Sequence, residues 1–192
     1  MSGRYDGSRS CRVAAQVAAG GMIPTRARIL STPLPPAAPV IDALERSGGR
    51  TVLVATGGGA RAISHLVGTP GASGVVVEGL VPYAREAIDR LLGGPQESYC
   101  SARTARRLAV AAWQRARDCG AAAEAAVGVA VTASLRTRQP KRGGHRLYVA
   151  IQTLAATATA ALALEKDSRS REDEEAVAAA LVLDELLAEC AG

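Results

Sequence analysis

Residues 51–93 read TVLVATGGGARAISHLVGTPGASGVVVEGLVPYAREAIDRLLG, and the alternation of short apolar runs with amphipathic stretches in this segment decides the fold. Thr51 to Ala55 is an apolar run of buried-strand length. Gly57 to Val67 carries Ile63, Leu66 and Val67 at helical spacing and stops at Gly68-Thr69-Pro70-Gly71. Val75 to Val81 repeats the strand pattern and Ala84 to Leu92 the helical one. Strand, turn and helix units of this size predict an α/β layer fold.

The same alternation extends on both sides. Val40, Ile41 and Leu44 give a helical face that breaks at Gly48-Gly49. A helix begins at Ser101 and turns through Leu108, Ala112 and Arg115, with Trp113 beside them as a core residue. Val127 to Ala133 and Arg146 to Gln152 read as strands flanking a basic turn, and Thr153 to Leu164 as a third strand. Ser170 with Asp173 forms a capping-box pattern, Glu172 to Glu175 place negative charge at a helix start, and Leu183, Leu186, Leu187 and Cys190 repeat on one face.

Ahead of this pattern lies an arm rich in Gly, Ser, Pro and Arg, which ends in Ser31-Thr32-Pro33-Leu34-Pro35-Pro36 and cannot propagate a helix. The division expected is an arm over residues 1–38 and one α/β domain over residues 39–192, with a short helix at Val13 to Ala19 in the arm. Five arginines against Asp6 put +4 of the chain's net +5 within residues 1–39, so the body is close to neutral. Without stacking aromatics or a recognition helix, this charge reads as a solvated tail, and no specific nucleic-acid partner is expected.

Cys11, Cys100, Cys119 and Cys190 lie far apart with no CxxC pair, which argues for free thiols and against a zinc site or a disulfide framework. The longest apolar run, Ala155 to Leu164, is too short to span a bilayer. A soluble cytoplasmic protein is expected, with no membrane partner, no metal and no cofactor.

Thr56-Gly57-Gly58-Gly59, between a strand and a helix, offers two readings. It is an ordinary strand-to-helix turn, or its backbone amides cradle an anion together with the helix N-terminus. His65 and His145 have no carboxylate or cysteine at metal-ligand spacing and read as structural or solvent-facing.

Thr56-Gly57-Gly58, Val67 to Ser73, Val81-Pro82-Tyr83 followed by Glu86-Ala87, and Ala130-Val131-Thr132 together resemble the C-terminal domain of the competence-damage (CinA) family, the nicotinamide-nucleotide amidohydrolases. The resemblance runs over roughly residues 39–171. It implies a three-layer α/β/α architecture, a mixed central sheet with helices on both faces, and a pocket for a pyridine mononucleotide whose carboxamide is hydrolysed. It also implies that Thr56, Gly57, Gly58, Tyr83 and Thr132 line that pocket, with Thr56 and Tyr83 at the reacting end. A small-molecule nucleotide partner and a homo-oligomer are expected with it.

Three departures qualify the inheritance. The family's first strand ends in Glu-Ser-Cys-Thr-Gly-Gly, whose Ser is the nucleophile, whereas this chain has Leu53-Val54-Ala55-Thr56-Gly57-Gly58. The activating Lys of Tyr-Ser-Asn-Glu-Ala-Lys is replaced by Ile88. The family's glycine-rich turn after Thr132 becomes Ala133-Ser134-Leu135-Arg136-Thr137-Arg138-Gln139-Pro140-Lys141-Arg142, a basic stretch with no acidic residue between Glu124 and Glu165.

Covalent amide hydrolysis needs a hydroxyl or thiol with a base to take its proton, which Val54 and Ile88 do not offer. Ser64, Ser73, Ser134, Cys100 and Thr56 are replacement nucleophiles to consider, Thr56 being next to the lost Ser, but the sequence identifies no base. Gly57, Gly58, Gly59, Thr132, Ser134, Arg136, Arg138, Lys141 and Arg142 are the expected ligand-binding set: the basic residues clamp a phosphate if the loop faces the pocket, and otherwise form a solvated hairpin. The functions open at this point are a nucleotide-binding protein with altered hydrolytic chemistry, a non-catalytic interaction or regulatory domain, and a deamidase that uses Thr56.

Overall fold

The computed structural model describes residues 34–191; all but the last five residues of the expected arm, and the short helix expected in it, lie outside these residues. The elements in chain order are α1 (Ala38–Ser47), β1 (Arg50–Thr56), α2 (Ala60–Val67), α3 (Ala72–Val75), β2 (Val76–Leu80) and α4 (Arg85–Leu92), followed by α5 (Ala102–Asp118), β3 (Ala126–Ser134), β4 (His145–Gln152), β5 (Thr157–Leu164) and α6 (Arg171–Ala191). The strands form one sheet in the order β2-β1-β3-β4-β5. β1 runs parallel to β2 and to β3, while β3, β4 and β5 are antiparallel in turn, so the sheet is mixed.

Side chains alternate across a strand, so β1 and β3 feed two cores. Leu53, Ala55, Val129 and Val131 face α1, α2 and α6, together with Leu147, Val149 and Ile151. Val52, Val54, Ala130 and Ala150 face α4 and α5. Three layers result, and strands buried on both sides account for the near-continuous apolar runs of β1 and β3.

The alanine content has a packing reason. α5 lays Ala105, Ala109, Ala112 and Ala116 against the sheet, and comes so close that a Cβ on Gly128 would stand 2.1 Å from the Ala109 carbonyl oxygen. Trp113 packs against the same core from its half-buried edge.

Helix ends follow local chemistry. Ser101 Oγ accepts from the Thr104 amide at 3.1 Å to cap α5. At α6, Ser170 Oγ accepts from the Asp173 amide at 3.0 Å while Asp173 Oδ2 accepts from the Ser170 amide at 3.1 Å, completing the capping box. α1 ends at Gly48, whose φ of 67° is the left-handed turn expected there.

Two local expectations are corrected. Val67 is 55% exposed rather than inward: the buried stripe of α2 is Ala62 and Leu66, one turn apart, and Val67 lies about 100° further round. β5 starts at Thr157 rather than Thr153, because Thr153 and Ala156 close a turn through a 2.9 Å amide-to-carbonyl bond. Among the described residues no helix is long and apolar enough to cross a membrane.

Candidate functional site

Val54 and Ile88, the positions at which the resemblance implies a nucleophile and a lysine, are 1% and 2% exposed and belong to one apolar cluster with Val52, Ala105, Leu108 and Ala109. Leu53 points through the sheet into the opposite core. Aliphatic side chains thus occupy both faces of β1 at Leu53 and Val54.

Further along the same strands, Thr56 and Thr132 are register partners, 5% and 0% exposed. The Thr132 hydroxyl is buried with no hydrogen-bond partner among the described residues. Tyr83, between β2 and α4, is 71% exposed. The fold therefore pairs Thr56 with Thr132 inside the protein and leaves Tyr83 on its surface.

The glycine turn is built for packing. Gly57 has φ 72°, and a Cβ there would lie 1.9 Å from the Ala133 carbonyl oxygen. Gly59 has φ 87°, and its Cβ would lie 2.7 Å from Val131 Cγ1. The anion the turn was expected to cradle is supplied by the chain itself: Glu175 Oε2 accepts from the Gly59 amide at 2.9 Å and Oε1 from the Arg61 amide at 3.2 Å. Arg171 completes the arrangement by donating to the Gly57 carbonyl at 3.0 Å while lying 4.0 Å from Glu175.

The basic loop after β3 folds against the β5–α6 connection. Between them opens a cleft of about 860 Å³, lined by Arg136, Arg138, Lys141, Lys166, Arg169 and Arg171 among others. Arg142 is exposed and does not line it. Most of these cations bond neutral oxygens. Arg136 Nη1 donates to the Arg169 carbonyl at 2.8 Å, Lys166 to the Lys141 carbonyl at 2.6 Å, and Arg169 to Ser168 Oγ at 3.1 Å. Asp167 and Asp173 are the acidic residues of the lining. Asp173 is committed to the helix cap, and the Ser170 hydroxyl and amide hold its carboxyl below the usual range.

A buried pair forms the floor. His145 Nδ1 and Glu174 Oε1 are 2.5 Å apart, with side chains 2% and 0% exposed. Glu174 Oε2 accepts from the Arg136 amide at 2.5 Å and so ties the loop to α6. His145 is therefore a structural core residue, one of the two readings open for it in sequence. Glu174 and Glu175 were legible only as helix-start charges. A spacing signal for Glu174 existed, since Ala178 and Leu181 follow it at i+4 and i+7 on the inward face.

Lys141 joins the loop to the strand, its Nζ lying 2.7 Å from Ser134 Oγ and 2.6 Å from the Leu135 carbonyl oxygen. Burial lowers its pKa; Glu174 and Cys100 oppose that, and Arg171 and Arg146 add to it. Cys100 is near the same place, its Sγ 3.6 Å from the Arg146 carbonyl oxygen and 3.8 Å from that of Thr132. Burial pushes its thiol up, against the pull of nearby cations, which counts against Cys100 as a replacement nucleophile.

The expected site residues thus do not form one pocket, and Gly57, Gly58, Gly59, Ser134 and Arg142 are outside the lining of the cleft. Thr56 and Thr132 lie on the α5 side of the sheet, and Arg136, Arg138 and Lys141 line the cleft at its end.

A mixed five-stranded sheet between two helical layers makes this a three-layer α/β domain. The chain matches the family described as CinA C-terminal domain over residues 37–189, and it belongs to that family. No curated protein matches it.

Solved structures share the fold. A competence or damage-inducible protein from Enterobacter asburiae is 19% identical with a TM-score of 0.69, the match covering 85% of this chain and 98% of that one. The competence damage-inducible protein A from Klebsiella pneumoniae is 17% identical with a TM-score of 0.68 and the same coverage, 85% and 98%. The competence/damage inducible protein from Agrobacterium tumefaciens is 21% identical with a TM-score of 0.60, covering 82% and 98%.

Proposed function

We propose that this domain binds a phosphate-bearing, pyridine-type mononucleotide, with its phosphate in the cationic cleft, and has no access to amide hydrolysis through residues 54 and 88. The observation that carries this reading is the charge imbalance of the cleft. Arg136, Lys141, Lys166 and Arg169 are held by carbonyl and hydroxyl oxygens rather than by carboxylates, and the six Arg and Lys side chains of the lining outnumber its two aspartates. A phosphate entering there gains charge-assisted hydrogen bonds from groups already in place.

Calorimetry tests the reading with nicotinamide mononucleotide, nicotinic acid mononucleotide and nicotinamide riboside, which lacks the phosphate. Binding of a mononucleotide, tenfold or more above the riboside and weakened by Arg138→Glu, is the expected result. Absence of heat with both mononucleotides at high protein concentration overturns it.

The closure of Val54 and Ile88 into core favours a second reading, a non-catalytic regulatory domain on the same scaffold. Mononucleotide binding without any turnover would select it. A deamidase built on Thr56 draws less support, because that residue is 5% exposed and lies on the face of the sheet that packs the apolar cluster of Val54 and Ile88. Ammonia release that persists in Thr56→Val eliminates it.

A further inference from the structure

The outer face of α5 carries a pattern that its packing does not need. Arg103, Arg106, Arg107, Val110, Ala111 and Gln114 follow one another at i, i+3, i+4, i+7, i+8 and i+11, so they share one side of the helix. The residues that α5 buries, among them Ala105, Leu108, Ala109 and Ala112, lie on the other side, against the sheet. Leu91 and Leu92 at the end of α4 stand beside the outer face, and together these eight residues line a groove of about 450 Å³. Leu91 and Leu92 are half-buried, and Val110 is 45% exposed.

Charge gives the groove a preference. Its three arginines meet no acidic residue in the lining. Arg103 sits in the first turn of α5, where the helix dipole disfavours a cation, and that turn holds no carboxylate. Arg107 donates to neutral oxygens, Gln96 Oε1 at 2.7 Å and the Leu92 carbonyl at 3.1 Å. Glu97 reaches Arg103 at 3.5 Å, but both side chains are mostly exposed, and such a contact contributes little. Positive charge thus gathers at one end of an apolar floor, at a helix terminus where folding gains nothing from it.

We propose that this groove docks an acidic, amphipathic helix of a partner protein. Leu91, Leu92 and Val110 receive its aliphatic face, and Ala111 lets its backbone come close. Carboxylates on its flank meet Arg103, Arg106 and Arg107. Two other occupants fit less well. A second copy of the chain, meeting the groove symmetrically, would set these arginines against each other. Nucleic acid gains little from an aliphatic floor, and no aromatic side chain lines the groove to stack on a base. The groove shares no lining residue with the cationic cleft, so its occupant is independent of what the cleft binds.

The test pans the full chain against a phage-displayed library of helical peptides, then measures the enriched sequence by anisotropy as a fluorescein-labelled synthetic peptide. Enriched peptides should carry aliphatic residues at i, i+3 or i+4, and i+7, with a net negative charge. Arg103→Glu/Arg106→Glu and Val110→Glu should each weaken binding about tenfold or more. All three positions are exposed, so the variants keep the fold, which circular dichroism checks. A peptide whose acidic residues are replaced by lysine should bind Arg103→Glu/Arg106→Glu better than the unmodified chain, a reversal that damage to the fold cannot produce.

No enriched sequence, or an enriched peptide whose affinity is the same in both variants as in the unmodified chain, overturns the proposal. So does a concentration-dependent dimer, read by sedimentation, that Val110→Glu abolishes, since the groove then belongs to a second copy. A mixed-sequence DNA duplex that binds as tightly as the peptide, and is lost in Arg103→Glu/Arg106→Glu, overturns it in favour of a nucleic-acid site.

Discussion

Glu175 on α6 and Gly59 at the head of α2 are 116 residues apart in sequence and meet at 2.9 Å, carboxylate oxygen to amide nitrogen. The contact puts a full negative charge on the N-terminus of a helix, where backbone amides lack partners and the dipole favours an anion. It also welds the glycine turn to the helix that covers the sheet.

Glu175→Ala should therefore cost about 1–2 kcal/mol, the range of a lost helix cap with its charge. Glu175→Gln, which keeps an acceptor, should cost less. Urea denaturation of the two variants beside the unmodified chain gives the values directly; an unchanged midpoint in Glu175→Ala would mean that water caps the helix as well as the carboxylate does.

Restoring the family's residue types at Val54 and Ile88 should not restore chemistry. Ile88 is 2% exposed among apolar neighbours, so Ile88→Lys forces an ammonium into a buried apolar cluster. A loss of several kcal/mol is expected. Thermal melts of Val54→Ser/Ile88→Lys should show it, and an ammonia assay with nicotinamide mononucleotide should find no gain over the parent chain.

The buried pair under the cleft gives a sharper prediction, because its two halves are unequal. His145→Leu leaves the Glu174 carboxylate without its ring partner and should cost about 3–5 kcal/mol. In His145→Leu/Glu174→Leu the charge is gone and most of that loss should return. A deficit of about 1–2 kcal/mol should remain, since the Arg136 amide loses its 2.5 Å acceptor. Chemical denaturation of both variants separates the terms, and a double variant no better than the single one would refute the assignment.

Acid should weaken one link between α5 and the sheet edge. Arg115 hydrogen-bonds Glu78 through its guanidinium and holds that carboxyl below its ordinary value of 4.5. A carboxyl lowered on folding stabilises the protein above its unfolded pKa, and the contribution is lost as pH falls through the folded value. The pair is largely exposed, so about 0.5 kcal/mol is expected. The difference in stability between the unmodified chain and Glu78→Gln should be present at pH 7 and should shrink as pH falls below 4.5.

What sequence could convey divides along the length scale of the interaction. Val40 and Leu44, the run from Thr51 to Ala55, and the Leu183–Leu187 face announce their elements because burial imposes its period on neighbours a few residues apart. Val54 and Ile88 were legible as missing chemistry for the same reason, since an aliphatic side chain at a strand end has only packing to offer. Glu175 was not legible, because its partner amides lie on another element more than a hundred residues away. Ser134 and Lys141 were each visible as reactive types. Their 2.7 Å contact depends on how a ten-residue loop turns back, which no periodicity encodes.

The 1.9 Å gap between a would-be Gly57 Cβ and the Ala133 carbonyl has a meaning for how such domains diverge. Replacing that glycine breaks the joint between β1 and β3 whether or not any small molecule is ever bound. Selection for a folded product alone will preserve the triplet, while the neighbouring strand end is free to drift once turnover ceases to matter. A descendant can thus carry its ancestor's most recognisable signature indefinitely after abandoning its ancestor's trade, and the signature records lineage rather than occupation.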